Sequence, residues 1–213
     1  MPVSQERFRQ GITPEEFAAQ MTRNQERYQQ NVEEVKSLVT QEDRDFFAAH
    51  PVSIVAIGED WCTDVIQFFP PAFELARQVP EVDVRVFPRD QNLDLIDQYL
   101  NQGKFRSIPV FVLYDPQWRE LGCFIERPAQ VTQEMAKETL RFAQENSQLE
   151  GVNRTYDNMP DETRNAVREN NTRFRWGNMM RWDRMFLDEL KAIVADNWAN
   201  TGSVEETARV SAS

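Results

Sequence analysis

The sequence predicts an α/β fold: a mixed four-stranded sheet with helices on both faces, carrying extra helices at both ends. Three observations predict it. Four short apolar or alternating runs, 52–57, 82–87, 110–114 and 120–125, have strand character. The first three are separated by helix-like stretches, and the last two only by the turn Asp115-Pro116-Gln117-Trp118. Outside these strands, apolar residues recur at steps of three and four in 13–39 and again in 161–198.

In chain order, residues 1–12 are polar and read as a loose arm, with no apolar segment of the kind a signal peptide needs. Thr13-Pro14-Glu15-Glu16 is a helix start, with Thr as N-cap, Pro at the first helical position and Glu at the third. Phe17, Met21, Tyr28, Val32, Val35 and Val39 then mark one helix, or two abutting near Asn31. This helix is expected to pack on its own domain; the alternative is a partner-binding or dimerising helix. Run 52–57 is a buried strand and 65–79 a helix, which Pro70-Pro71 must kink. Run 82–87 alternates as a second strand. Residues 92–101 form a short helix with Leu93, Ile96 and Leu100 inward, ended by Gly103. Run 110–114 is the third strand, 120–125 the fourth, and 128–147 a helix.

The order is therefore β-α-β-α-β-β-α. Helical crossovers predict parallel pairing for the first strands, and the final turn an antiparallel hairpin. After a polar linker, 149–160, the helix 161–198 carries Met179, Trp182, Phe186, Leu190, Val194 and Trp198. Trp176, Met180, Met185 and Leu187 widen this face, which predicts deep burial. Its seven basic and seven acidic residues make Arg173-Phe174-Arg175-Trp176 part of a salt-bridged face rather than a nucleic-acid patch. The expected domains are an N-terminal helical extension (1–45), the α/β domain (46–148), a C-terminal helical extension (149–198) and a disordered tail (199–213).

Bulk properties exclude several classes. With 24 basic against 35 acidic residues the net charge is −11, which disfavours nucleic acid and anionic membranes as partners. No run approaches a membrane-spanning length. Two cysteines, Cys62 and Cys123, and one histidine, His50, make neither a disulfide scaffold nor a zinc site. Unpaired thiols fit a reducing cytoplasm.

The stretch that carries chemistry is Asp60-Trp61-Cys62-Thr63-Asp64-Val65. It places Cys62 between a strand and a helix, where free N–H groups favour a thiolate by roughly 0.3–2 kcal/mol. Glu59, Asp60 and Asp64 oppose that effect. Asp64 reads as a helix cap or as a proton carrier for Cys62. Cys123 reads as a small buried apolar residue in mid-strand, and His50 as structural or exposed.

Taken together, 46–148 resembles the thioredoxin-like superfamily, in a bacterial branch with extra helices. Trp61-Cys62 is similar to the Trp-Cys that opens the family's active-site helix, and Pro70 falls at its helix-kinking proline. Asp90-Gln91-Asn92 resembles a run that follows the second strand, and Ser107-Ile108-Pro109 the cis-proline loop. The departures are equally specific. Val65 stands where the second cysteine would be, and Ala56 replaces the buried acid. Val86 stands where the strand lysine would be, and Thr63-Asp64 replaces Gly-Pro.

The resemblance implies a thioredoxin fold and a monothiol oxidoreductase. Cys62 would be the nucleophile with Asp64 beside it, and Trp61, Thr63, Ile108 and Pro109 the substrate-binding groove. It implies no cofactor beyond a low-molecular-weight thiol as co-substrate, and a disulfide- or thiol-bearing protein or small thiol as partner. The alternative is a non-catalytic binding module using the same groove. A homodimer through the 14–39 and 161–198 helices is compatible with both.

Overall fold

The computed structural model describes residues 3–210, with side chains described for 3–198. Helices α1 (Gln5–Phe8), α2 (Pro14–Gln20), α3 (Gln25–Glu34) and α4 (Gln41–Ala49) precede strand β1 (Val52–Gly58). There follow α5 (Thr63–Gln78), β2 (Val82–Pro88), α6 (Leu93–Ile96), β3 (Val110–Tyr114) and β4 (Glu120–Ile125), then α7 (Ala129–Glu145) and α8 (Asp161–Val210). The strands form one mixed sheet in the order β2-β1-β3-β4. The expected α/β class and thioredoxin-like fold are present.

Strand β2 runs parallel to β1, and β4 antiparallel to β3. The third strand differs from expectation: β3 is antiparallel to β1. Gly58 pairs with Pro88 and Ile57 with Val110, so β3 begins at the sheet end where β1 and β2 finish. The link from β2 holds a 3-10 turn at Arg89–Gln91 and the single turn α6, shorter than the expected 92–101, and no long helix returns the chain to the far end.

Three other segments differ from the sequence reading. The N-terminal arm is packed rather than loose. Val3 and Phe8 are buried, and Ile12 bridges Val86 on β2. Gly11 permits this approach, since a Cβ there would meet the Phe87 ring at 2.7 Å. The break in the first helix lies at 21–24, where Asn24 takes a left-handed φ of 55°, and not near Asn31. The backbone of α8 continues to Val210 through much of the expected disordered tail, and 211–213 lie outside the described residues.

Asn31 instead sits fully buried in α3 and donates from Nδ2 to the Ile66 carbonyl at 2.9 Å. That carbonyl would normally bond the N–H four residues on, and Pro70 has none. Helix α5 runs through Pro70 and Pro71, with a neighbouring side chain supplying one missing donor.

The chain divides into two compact units, Met1–Arg127 with Asp183–Ser213, and Pro128–Trp182. In the first unit the Phe186 ring of α8 lies 5.3, 4.8 and 4.9 Å from Phe68 of α5, Phe111 of β3 and Phe124 of β4. The other sheet face carries Tyr114, stacked on Trp118 and sharing a hydroxyl contact of 3.2 Å with Tyr99. His50 has a structural place, its Nδ1 at 2.7 Å from the Phe46 carbonyl.

In the second unit Ala143, Val152, Met159 and Val167 form a small core with Phe142 and Leu149. Glu134 of α7 accepts from Arg181 at 2.9 Å and from the Trp182 indole at 2.8 Å. The Arg181 guanidinium holds the Glu134 carboxyl down to about 2, against burial that would raise it, with help from Trp182 and Gln130. A lowered folded-state pKa stabilises above the unfolded value, and that contribution fades as pH falls from about 4.5 towards 2. Urea unfolding of this unit, followed by the Trp182 indole N–H resonance, is expected to show that fall. Glu134→Gln should flatten it, and an identical pH profile in the variant would contradict the assignment.

Candidate functional site

The site forms where β1 ends and α5 begins. Cys62 is the N-cap of α5, with extended backbone (φ −88°, ψ 123°), and its carbonyl accepts from the Ile66 N–H. Its thiol is partly exposed and donates to the Ile108 carbonyl at 3.4 Å. The Ile108–Pro109 peptide is cis, as the resemblance implied. The Pro109 carbonyl accepts from the Glu126 N–H at 2.7 Å, which joins the loop before β3 to the chain leaving β4.

The three carboxylates flanking Cys62 each have a donor. Asp60 accepts from the Thr22 and Arg23 amides at 2.6 and 2.9 Å, both in the turn between α2 and α3. Burial pulls its carboxyl upwards, yet these amides hold it below the usual range. Glu59 accepts from the Asp90 amide at 2.8 Å. Burial pushes Glu59 above its ordinary value, with the Asp90 and Asp60 charges adding to the rise, so it holds its negative charge less readily. Asp64 is buried and pairs with Arg127 at 2.8 Å.

Arg127 also pairs with Glu126. Asn101 donates to Glu126 at 2.8 Å and reaches Ser107 at 3.3 Å. A continuous polar chain therefore runs from the first turn of α5 through the end of β4 to the cis-proline loop.

The residues singled out from sequence fall into two groups. Trp61 and Thr63 are exposed, Trp61 to 39%, and can meet a partner with their side chains. Ile108 and Pro109 are buried and offer only their backbone. Cys123 lies on β4 opposite Val112, on the sheet face away from Phe111 and Phe124. It stands three residues from Glu126, about 10 Å along the strand. Burial and nearby Glu120 push its thiol above the ordinary value.

Sequence reasoning missed Arg89, whose guanidinium lies 4.7 Å from the centre of the Trp61 ring. The signal was available: parallel β1 and β2 finish side by side, so whatever follows Pro88 adjoins whatever follows Gly58. It also missed Arg127, Thr22 and Arg23, whose roles depend on contacts distant in sequence.

A sheet of this order, a cysteine capping the helix after its central strand and a cis-proline beside the sulfur define a thioredoxin-like protein. The family model described as thioredoxin matches residues 11–141, and the chain belongs to that family. The match takes in α2, α3 and the turn between them, which supplies the Asp60 contacts. Among solved structures, an HIV epitope-scaffold is similar at TM-score 0.58 and 16% identity, over 89% of this chain and 95% of that one. A protein of unknown function from Pseudomonas aeruginosa is similar at TM-score 0.54 and 15% identity, over 83% and 99%. At these identities the likeness is one of fold. No curated protein matches the sequence. Among the described residues no helix is long and apolar enough to cross a membrane.

Proposed function

We propose that the chain is a monothiol thiol–disulfide oxidoreductase with Cys62 as its nucleophile. The observation that carries this reading is the partly exposed sulfur at a helix N-terminus, 3.4 Å from the backbone beside a cis-proline. The Cys62 thiolate attacks one sulfur of a partner's disulfide. A new S–S bond forms, the old one breaks, and the second sulfur leaves as a thiolate. An external thiolate then attacks the partner's sulfur in the mixed disulfide: a new S–S bond joins the external thiol to the partner, the bond to Cys62 breaks, the external sulfur is oxidised, and Cys62 leaves as a thiolate. The external thiol is required because Val65 occupies the resolving position and is fully buried.

In this reading Trp61 and Thr63 offer the contact surface, the Ile108–Pro109 backbone aligns an extended partner, and Asp64 acts through Arg127 in holding the loop. A cytoplasmic setting would keep the thiol reduced. A second reading, a binding module without turnover, is favoured by Ala56, which is fully buried where the family's proton-transfer acid would stand.

One experiment separates them. With Cys123 replaced by serine, the protein is incubated with oxidised glutathione and then with excess reduced thiol. The first reading expects a single glutathione adduct on Cys62, its removal by the thiol, and sustained disulfide turnover that Cys62→Ser abolishes. A stable unmodified Cys62 over hours at pH 8, with no turnover, would leave only the binding module.

A further inference from the structure

A second site lies away from Cys62, along the free edge of the sheet. Strand β2 is an edge strand, and among the described residues only Ile12 pairs with it from outside, at Val86. Both hydrogen bonds of that bridge, 2.8 and 3.0 Å, use the Val86 N–H and carbonyl, which therefore point away from β1. Two residues back, with the period of a strand, the Val84 N–H and carbonyl point the same way. The arm does not reach them, because Thr13 caps α2 and Pro14 has no N–H to extend the ladder. Among the described residues nothing bonds these two groups, although Val84 is only 3% exposed.

In front of Val84 is a cavity of about 750 Å³, walled by α2, α3 and α5. Tyr28, Val32, Pro70 and Phe73 give it an apolar lining. Tyr28 as a residue is only 5% exposed, and its hydroxyl has no hydrogen-bond partner among the described residues. Burial and nearby Glu15 hold that hydroxyl protonated. The rim carries both signs, but most charges are already matched. Glu33 pairs with Lys36, Glu74 with Arg77, and Asp83 with Arg85. Glu15 alone among the rim carboxylates has no ion pair among the described residues.

We infer that this groove binds an extended peptide as a fifth strand beside β2, with an apolar side chain in the cavity and a lysine or arginine beside Glu15. Each open feature then has a use. Main-chain bonds to Val84 satisfy the buried edge, the Tyr28 hydroxyl donates to a peptide carbonyl, and the basic side chain meets the unmatched carboxylate. An apolar small molecule would fill the volume but leave the strand edge unpaired.

The test is an NMR titration of the full ¹⁵N-labelled chain with a capped heptapeptide alternating lysine and valine. The expected result is shifts at Val84, Tyr28 and Val32, with slowed exchange of the Val84 amide. Ala18→Trp, which crowds the mouth of the cavity, should weaken binding at least tenfold, and Tyr28→Phe about threefold, in variants whose spectra stay native. Disulfide exchange at Cys62 should be unchanged in Tyr28→Phe, which separates this site from the redox reading. A glutamate–valine heptapeptide should bind at least tenfold more weakly than the lysine one. The proposal fails if Val84 does not respond at millimolar peptide, or if the shifts centre on Trp61. It also fails if a block peptide of contiguous lysines and valines binds equally well, since that would be charge attraction alone.

Discussion

Replacing Arg127 by methionine is expected to lower the stability of the first unit by about 3–5 kcal/mol. The Asp64 side chain is 7% exposed and that of Arg127 20%, so the pair lies largely out of water. Removing the guanidinium leaves a carboxylate that was desolvated in its company, and that loss exceeds anything the pair adds as a surface contact. The Asp64→Asn, Arg127→Met double variant should recover much of the loss, and a double-mutant cycle from denaturant midpoints reads the coupling directly. A loss below 1 kcal/mol would mean that the pair does not hold the loop.

The same variant has an effect at Cys62. Without the Arg127 charge beside it, a carboxylate at about 7 Å, at an effective dielectric of about 40, disfavours a thiolate by roughly 1 kcal/mol. The pH midpoint of Cys62 alkylation should therefore move upwards, by under one unit, relative to the unaltered protein.

Phe186→Ala is expected to lower stability by about 3–5 kcal/mol as well, by a different route. Its ring is fully buried and meets Phe68, Phe111 and Phe124 from three separate elements. Truncation opens a cavity between the sheet and two helices, and no single neighbour can move to fill it without leaving another contact. Leu140→Ala on α7 is the contrast. That side chain is 58% exposed, and its loss should change stability by no more than about 0.5 kcal/mol. Equal effects from the two would contradict the packing described for Phe186.

The strands and most helices were legible because their signals are local. Alternation marks β2, and the Thr13-Pro14-Glu15-Glu16 start of α2 closes as a full capping box. Cys62 at the start of α5 was legible from its place between a strand and a helix, and the cis-proline through the family resemblance. The arm was not, because Val3, Phe8 and Ile12 are too sparse to form a periodic stripe and become apolar contacts only once Trp118 and β2 are in place. The direction of β3 was misjudged because the length of a link was read as helix, whereas α6 is one turn. The electrostatics around Cys62 were undecided for a similar reason. Sequence proximity supplies the carboxylates, whereas their compensating donors arrive from Thr22, Arg23, Asp90 and Arg127, distant along the chain.

The discontinuity of the first unit bears on how the protein is made. Phe68, Phe111 and Phe124 leave the ribosome well before Phe186, with the whole of Pro128–Trp182 still to be synthesised between them. Until Phe186 emerges, that side of the sheet has α5 but lacks α8 over it, and the nascent chain presents these aromatic rings more openly to water or to a chaperone. A fragment cut at 148 should carry the same exposed face permanently and precipitate where the full chain stays in solution.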